Sequence, residues 1–179
     1  MEFKELSLKG LVEITPRLLE DERGFFYESY SRRTFSKNGL DLEFVQDNQS
    51  FSHKGVVRGL HFQNPPFAQG KLVRVVVGRA LDVVVDIRKD SSTYGKHLTV
   101  ELDSKTCNML YVPPGFAHGF AALTDVVFFY KCTGLYDKAS EGGLLWNDPV
   151  LEIDWRVSNP VVSEKDMVLP SLENLISGF

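Results

Sequence analysis

The sequence predicts an all-β fold, a sandwich or barrel built from short strands. Three observations predict this class: apolar and polar residues alternate over several short segments, turn-forming glycines and prolines separate those segments, and the 3.6-residue period of a helix is weak. The chain has 179 residues, of which 43% are hydrophobic. That length and composition suffice for a core and most simply indicate one domain, residues 1–179.

The strand signals are clearest in five segments, which alternate in polarity or are rich in β-branched residues: 71–77, 80–88, 97–102, 108–112 and 126–132. In 80–88, apolar side chains share one face, while Asp82 and Asp86 lie on the other. Six or more strands at this spacing are typical of a sandwich or barrel.

Helical signals are short and lie at the edges of the predicted barrel. Residues 31–38 predict a short helix that Gly39 closes. Ser163 with Asp166 three positions later is typical of a helix start, and residues 171–177 predict another turn or two.

Two polar residues are predicted to point into the barrel. Lys71 shares a strand face with Val73, Val75 and Val77, and Tyr130 shares one with Phe128 and Cys132. Side chains two positions apart lie on the same side of a strand. A buried charge and a buried hydroxyl both need partners, which a bound polar ligand would supply.

Composition and charge argue against several classes of function. The formal net charge of -4 gives no electrostatic reason to expect nucleic-acid binding. No stretch approaches the ~18 apolar residues that indicate a membrane span, and the charged N-terminus resembles no signal peptide. Cys107 and Cys132 form no disulfide framework, which favours a reducing compartment. We therefore expect a cytoplasmic protein.

Two segments each place one histidine in a glycine- and proline-rich frame at a strand edge. His61 lies in 58–63 and His118 in 113–120. Convergent histidines in a small barrel indicate either a metal site or metal-free acid–base chemistry. The second segment matches the Pro-x-Gly-x-x-His half of a metal-binding cupin, but Phe62 and Gln63 follow His61 where such barrels carry another histidine. Because a catalytic metal usually takes about three protein ligands, we predict none.

Metal-free chemistry would use side chains that the chain supplies. A histidine paired with a carboxylate acts as a base, an inward lysine neutralises developing negative charge, and a tyrosine donates a proton from the other side. This set suits proton abstraction next to a carbonyl, because the enolate carries its charge on oxygen. Protonation from the opposite face then inverts the carbon.

Nine segments together resemble the dTDP-4-dehydrorhamnose 3,5-epimerase family, nearly from end to end. No single segment is decisive, whereas the ordered set is highly specific. The segments are RGFFYE at 23–28, QDNQS at 46–50, VRGLHFQ at 57–63, QGKLVRV at 69–75, DVVVDIR at 82–88, PGFAHGF at 114–120, YKCT at 130–133, WNDP at 146–149 and SEKD at 163–166.

The resemblance implies a cupin-like jelly roll, a homodimer, no cofactor, and a dTDP-4-keto-6-deoxy sugar as substrate. It implies that His61 is the general base with Asp166 as partner, and that Tyr130 is the general acid on the opposite face. Lys71 and His118 would lie near the C4 carbonyl oxygen. Substrate contacts are implied for Arg23, Glu28, Gln46, Asn48, Arg58, Glu141 and Lys165, and stacking on thymine for Tyr136. The family's N-terminal strand reaches across the dimer, so Arg23 and Glu28 are expected in the neighbouring subunit's site.

Alternatives stay open at this point. Relatives that epimerise only C3 or only C5 use much the same residues. A metal-dependent cupin oxygenase lacks support because the His-x-His pattern is missing, and a non-catalytic binder would not need both an acid and a base. Among single residues, Asp166 could be only a helix cap, His118 could only stabilise its turn, and Tyr130 could be a core tyrosine.

Overall fold

A computed structural model describes residues 1–179, and its thirteen strands confirm the all-β prediction. The strands are β1 (Glu2–Glu5), β2 (Val12–Thr15), β3 (Leu19–Asp21), β4 (Gly24–Phe26), β5 (Gln46–Ser52), β6 (Val57–Gln63), β7 (Lys71–Val77), β8 (Arg79–Asp86), β9 (His97–Asp103), β10 (Met109–Val112), β11 (Phe116–Ala122), β12 (Val126–Cys132) and β13 (Glu141–Gly143). The helices are α1 (Arg32–Lys37) and α2 (Glu164–Met167). Neither has the length and apolarity that crossing a membrane requires.

Two large antiparallel sheets face each other in the predicted cupin-like jelly roll. Their strand orders are β1-β2-β10-β7-β12-β5 and β13-β6-β11-β8-β9, and β3 pairs with β4 in a separate hairpin. A core of 14 buried residues fills the space between the sheets; Val73 and Phe128 come from one sheet, and Val84 and Phe120 from the other. This arrangement buries one face of each sheet against the other.

Further layers cover the outer faces of both sheets. The C-terminal segment packs Leu144, Leu151 and Trp155 onto the outer face of the five-stranded sheet. Helix α1 packs Phe35 onto the outer face of the six-stranded sheet, beside Leu72. Coverage of both faces explains why every residue of β8 after Arg79 is buried, including Asp82 and Asp86.

The predicted elements agree closely with the observed ones. The bounds of β7 and β12 match, and α1 lies within the predicted residues 31–38, with Ser31 as its N-cap. Lys71, Val73 and Val75 face inward as predicted, whereas Val77 is 55% exposed because it lies past the core, at a register shift between β7 and β12. Residues 171–175 form two overlapping hydrogen-bonded turns, within the predicted turn or two, and the segment packs Leu172 and Leu175 against the core that includes the outer face of the five-stranded sheet.

Backbone pairing positions the elements of the site. The β6–β11 ladder sets His61 opposite His118, and the β7–β12 ladder sets Lys71 opposite Cys132. A parallel bridge between residues 56 and 161 then holds the segment before α2 against the start of β6. Three distant parts of the chain therefore meet at one end of the barrel.

Candidate active site

A cleft opens at the end of the barrel where β7 begins and β12 ends, and its two adjoining cavities share their central residues. The cavities have volumes of about 570 Å³ and about 300 Å³. His61, Lys71 and Tyr130 line both cavities. His61 stands on the five-stranded sheet, and the other two stand on the six-stranded sheet. The structure thus brings three of the predicted residues together on two facing walls.

His61 and Asp166 form a hydrogen-bonded pair, although they lie 105 positions apart in the chain. The distance from His61 Nε2 to Asp166 Oδ1 is 2.7 Å. The His61 side chain is 33% exposed and that of Asp166 is 5% exposed, so the ring reaches the cleft while the carboxylate sits behind it. A carboxylate in this position orients the ring and stabilises its protonated form.

Helix α2 sets the position of Asp166. The Ser163 hydroxyl caps the helix by accepting a hydrogen bond from the Asp166 amide at 3.1 Å, and the Gly59 amide donates to Asp166 Oδ2 at 3.2 Å. Burial alone would raise the pKa of Asp166, but hydrogen bonds from His61 and these backbone and hydroxyl groups outweigh it and lower the pKa. Asp166 therefore lies at the third position of a capped helix and also faces His61, so both interpretations of this residue hold together.

A second histidine–aspartate pair lies beside the first. His118 Nε2 is 2.9 Å from Asp82 Oδ2, and the two side chains are 8% and 0% exposed. His118 lines the larger cavity. The predicted site residue His118 is thus in the cleft, and a residue that the sequence analysis did not single out anchors it.

Lys71 lies at the centre of the cleft and takes part in no salt bridge of the chain. Burial lowers the pKa of its ammonium group, and the nearby Cys132, Asp82 and Glu141 oppose that shift. A lysine without a fixed partner, held in a water-poor cleft, is available to an anionic group of a ligand.

The Tyr130 hydroxyl opens onto the cleft. No protein group accepts a hydrogen bond from it, and it is not among the buried polar atoms that lack a partner, so it is accessible from the cavity that it lines. Burial and Cys132 raise the pKa of Tyr130, and the charge of Arg58 opposes them. The phenol is therefore protonated at neutral pH and able to donate a proton to a group bound in the cleft.

The smaller cavity is lined by polar side chains around an aromatic ring. Gln46 Oε1 accepts a hydrogen bond from the Tyr136 amide at 3.0 Å, and Gln46 Nε2 donates to Asn48 Oδ1 at 3.0 Å. Tyr136 is 55% exposed, and its hydroxyl donates to Glu141 Oε2 at 3.2 Å. Amides beside an accessible ring suit a flat, hydrogen-bonding group such as a nucleobase.

Arg58 and Lys165 supply positive charge to the larger cavity. Arg58 Nε donates to Ser52 Oγ at 2.9 Å, which orients its guanidinium. Lys165 Nζ lies 2.7 Å from Glu141 Oε1. That contact raises the pKa of Lys165 and outweighs burial in lowering the pKa of Glu141. Two cations at one cavity suit the binding of phosphate groups.

Arg23 and Glu28 lie outside the cleft of their own chain. Arg23 sits in the turn between β3 and β4, where its amide donates to Asp21 Oδ1 at 2.9 Å. Glu28 Oε1 accepts a hydrogen bond from Thr34 Oγ1 at 2.9 Å. Neither residue lines either cavity. The expectation that both serve a neighbouring subunit stays a prediction.

Sequence reasoning missed Asp82 and two glutamines of the smaller cavity, Gln63 and Gln69. The signal for Asp82 was its place on the face of β8 that also carries Ala80 and Val84, both of which face the core. Asp86 on the same face made that face look solvated, but the structure shows that the face points into the interior between the two sheets, where Asp82 is fully buried.

No group of three or more histidine, cysteine or carboxylate side chains is arranged to hold a metal ion. Each cleft histidine instead uses one ring nitrogen on a single carboxylate.

Comparisons with known proteins agree with this geometry. The family described as dTDP-4-dehydrorhamnose 3,5-epimerase matches residues 5–174. A protein of that name from Shigella flexneri is 51% identical over 169 residues, which cover 93% of each chain. A crystal structure of the enzyme from Elizabethkingia anophelis NUHP1 has a TM-score of 0.92 at 44% identity and covers 97% of each chain. The dTDP-6-deoxy-D-glucose-3,5-epimerase from Legionella pneumophila Philadelphia 1, in complex with dTDP-4-keto-L-rhamnose, has a TM-score of 0.93 at 41% identity, covering 98% of this chain and 94% of that one.

Proposed function

The chain belongs to the dTDP-4-dehydrorhamnose 3,5-epimerase family, and from this premise we propose how its cleft acts. It inverts C3 and C5 of dTDP-4-dehydro-6-deoxy-D-glucose and gives dTDP-4-dehydro-L-rhamnose. The observation that carries this proposal is the placement of an exposed, carboxylate-backed His61 and a free Tyr130 hydroxyl on facing walls around Lys71.

The reaction follows from the chemistry of these side chains. His61 removes the proton from a carbon next to the C4 ketone, and Asp166 stabilises the imidazolium that forms. The negative charge moves to O4, where Lys71 stabilises it, with His118 beside it. Tyr130 then protonates the carbon from the opposite face, which inverts it. His61 then releases its proton to solvent and Tyr130 takes one up, after which the same steps at the second carbon complete the conversion.

Substrate binding uses the two cavities together. Arg58 and Lys165 hold the diphosphate. Tyr136 stacks on the thymine, and Gln46, Asn48 and Glu141 contact the nucleoside end.

A homodimer would complete the site. Arg23 and Glu28 lie outside their own cleft, beside the exposed Phe25 and Phe26, which are 53% and 70% exposed. An exposed apolar hairpin of this kind suits burial in a partner. Mixing inactive Arg23→Ala with inactive His61→Ala should restore activity once subunits exchange; demonstrated exchange without activity would speak against a shared site.

We also propose that the protein is one domain over residues 1–179, that it works in the cytoplasm, and that it needs no cofactor. The shared core between the two sheets supports the first. Free, buried Cys107 and Cys132 suit a reducing compartment.

The decisive experiment follows the sugar by NMR in heavy water. We expect deuterium at both C3 and C5 and the L-rhamno product, with the same rates after exhaustive chelation. Exchange at one carbon alone would instead establish a mono-epimerase. Activity that chelation removes and one metal restores would favour a metal-dependent cupin, and absence of exchange would refute epimerisation.

A further inference from the structure

Half of the Asp82 carboxylate has no partner in the protein. Asp82 is 0% exposed, and its Oδ2 is bound to His118. Its Oδ1 is the one buried side-chain polar atom of the chain that makes no hydrogen bond. An unpaired carboxylate oxygen in a protein interior is destabilising unless a nearby positive charge compensates it.

Lys71 is the positive charge that faces Asp82. The two residues project from opposite sheets into the same interior, as do Val73 and Val84 two positions along their strands. Burial, the larger influence, lowers the pKa of Lys71 and raises that of Asp82. The charge of each residue opposes the shift of the other.

The other acidic groups near Lys71 are either uncharged or already paired with another cation. Cys132 lies opposite Lys71, but burial raises the pKa of its thiol, which is therefore uncharged at neutral pH. Glu141 is paired with Lys165 at 2.7 Å. The titratable and charged groups around Lys71 are Asp82 on β8, His118 on β11, Arg58 and His61 on β6, Tyr130 and Cys132 on β12, Glu141 on β13, Tyr136 in the loop before it, and Lys165 and Asp166 on α2.

We propose that Asp82 is a positioning residue for the epimerisation: its Oδ2 fixes the ring of His118, and its charge balances that of Lys71 from the facing sheet of the barrel interior. The proposal rests on the proposed function, in which Lys71 must be an ammonium ion when negative charge develops on the sugar oxygen. A neutral amine would give much weaker electrostatic stabilisation. Asp82 therefore acts through two residues that face the substrate.

The test removes the charge and keeps the shape. Asp82→Asn retains an oxygen that accepts from His118. Asp86→Asn is the matched control, since Asp86 lies on the same face of β8 and is also 0% exposed. Asp86 lies outside the cleft, and its Oδ2 is 2.7 Å from Arg88 Nη2. The readouts are the pH dependence of deuterium exchange and the ¹³Cε NMR titration of Lys71, assigned by its loss in Lys71→Arg. Asp82→Asn should move the Lys71 titration and the alkaline limb of exchange down by roughly one pH unit, and Asp86→Asn should move neither.

An unchanged Lys71 titration in Asp82→Asn, or an equal shift in Asp86→Asn, would overturn the proposal. The titration needs no substrate, so it decides the role of Asp82 even if the wild-type protein shows no exchange. Absence of exchange in the wild-type protein would refute the proposed epimerase function and not the charge balance between Asp82 and Lys71. If Asp82→Asn does not fold, Lys71→Met/Asp82→Asn replaces it. Recovery of a cooperative melting transition in the double variant would support charge balance, and a double variant that also fails to fold would overturn it.

Discussion

The two histidine–aspartate pairs of the cleft are chemically alike and physically different. His61 and His118 are direct neighbours in the β6–β11 ladder, yet their side chains are 33% and 8% exposed. Asp166 reaches His61 from a capped helix, and both of its oxygens accept hydrogen bonds. Asp82 reaches His118 from the barrel interior with one oxygen unpaired.

This difference supports the two proposed roles, proton transfer for His61 and Asp166 and charge balance for His118 and Asp82. Hydrogen bonds outweigh burial at Asp166 and lower its pKa, whereas burial dominates at Asp82 and raises its pKa. The first carboxylate stays ionised by local contacts, and its histidine meets the cavity. The second depends on the charges of His118 and Lys71. Surroundings, not residue types, therefore assign the roles.

The largest effect should come from His61→Asn, which removes the base. We expect deuterium exchange and turnover to fall about 10³-fold or more. In His118→Asn, which leaves the base in place, exchange and turnover should fall much less. Single-turnover NMR of both variants measures the difference. Equal losses would erase the distinction between the two pairs.

Asp166→Asn should lower the rate roughly 10²-fold, because the imidazolium loses the anion that stabilises it. Adding Asp166→Asn to His61→Asn should cost little more, as expected for residues that act as a unit. Ser163→Ala is the control, since it removes the helix cap, should lower stability by about 1 kcal/mol, and keeps the carboxylate. Strictly additive rate losses would reduce Asp166 to a structural residue.

Tyr130→Phe should separate proton abstraction on one face of the sugar from protonation on the other face. Deuterium exchange next to the ketone should survive, because abstraction by His61 does not need the phenol. Net inversion, especially at C5, should fall about 10²-fold. Lys71→Ala should instead suppress exchange and inversion together, since both pass through the enolate. If Tyr130→Phe lowered both processes equally, the acid would have to be another group.

The smallest effect on catalysis should come from Asp86→Asn. Asp86 is a buried carboxylate of β8 that is not hydrogen-bonded to a histidine. Burial opposes ionisation of Asp86, but hydrogen bonds from Arg88, Thr93 and Ser91 outweigh it and lower its pKa to about 2. A lowered pKa stabilises the fold above about pH 4, and this stabilisation is lost as the pH falls towards about 2. The variant should therefore lose roughly 2 kcal/mol at pH 7 and show a flatter acid limb in urea unfolding. Exchange per folded molecule should not change.

Much of the fold followed from local patterns. The bounds of β7 and β12 could be predicted because β-branched and aromatic runs end at glycine or at turn residues. Alternation also indicated correctly that Lys71 and Tyr130 share faces with core residues. His61 and His118 stood out from their glycine- and proline-rich frames, and the remaining site residues came from the resemblance to a family. The structure brings eleven of the thirteen site residues into or beside one cleft: all but Arg23 and Glu28.

By itself, then, the sequence determined five of the strands to within about two residues, the inward faces that carry Lys71 and Tyr130, and the family, because period-2 patterning and ordered motifs depend on near neighbours in the chain. Only the tertiary structure decided that Asp166 meets His61 across 105 positions, that His61 and His118 share a register, and that Asp82 is buried. Those facts depend on which strands pair and on which face of each strand points into the interior between the sheets. No local pattern records a contact between distant segments, and an aspartate is a solvated charge or a buried one according to whether a second sheet packs over its face.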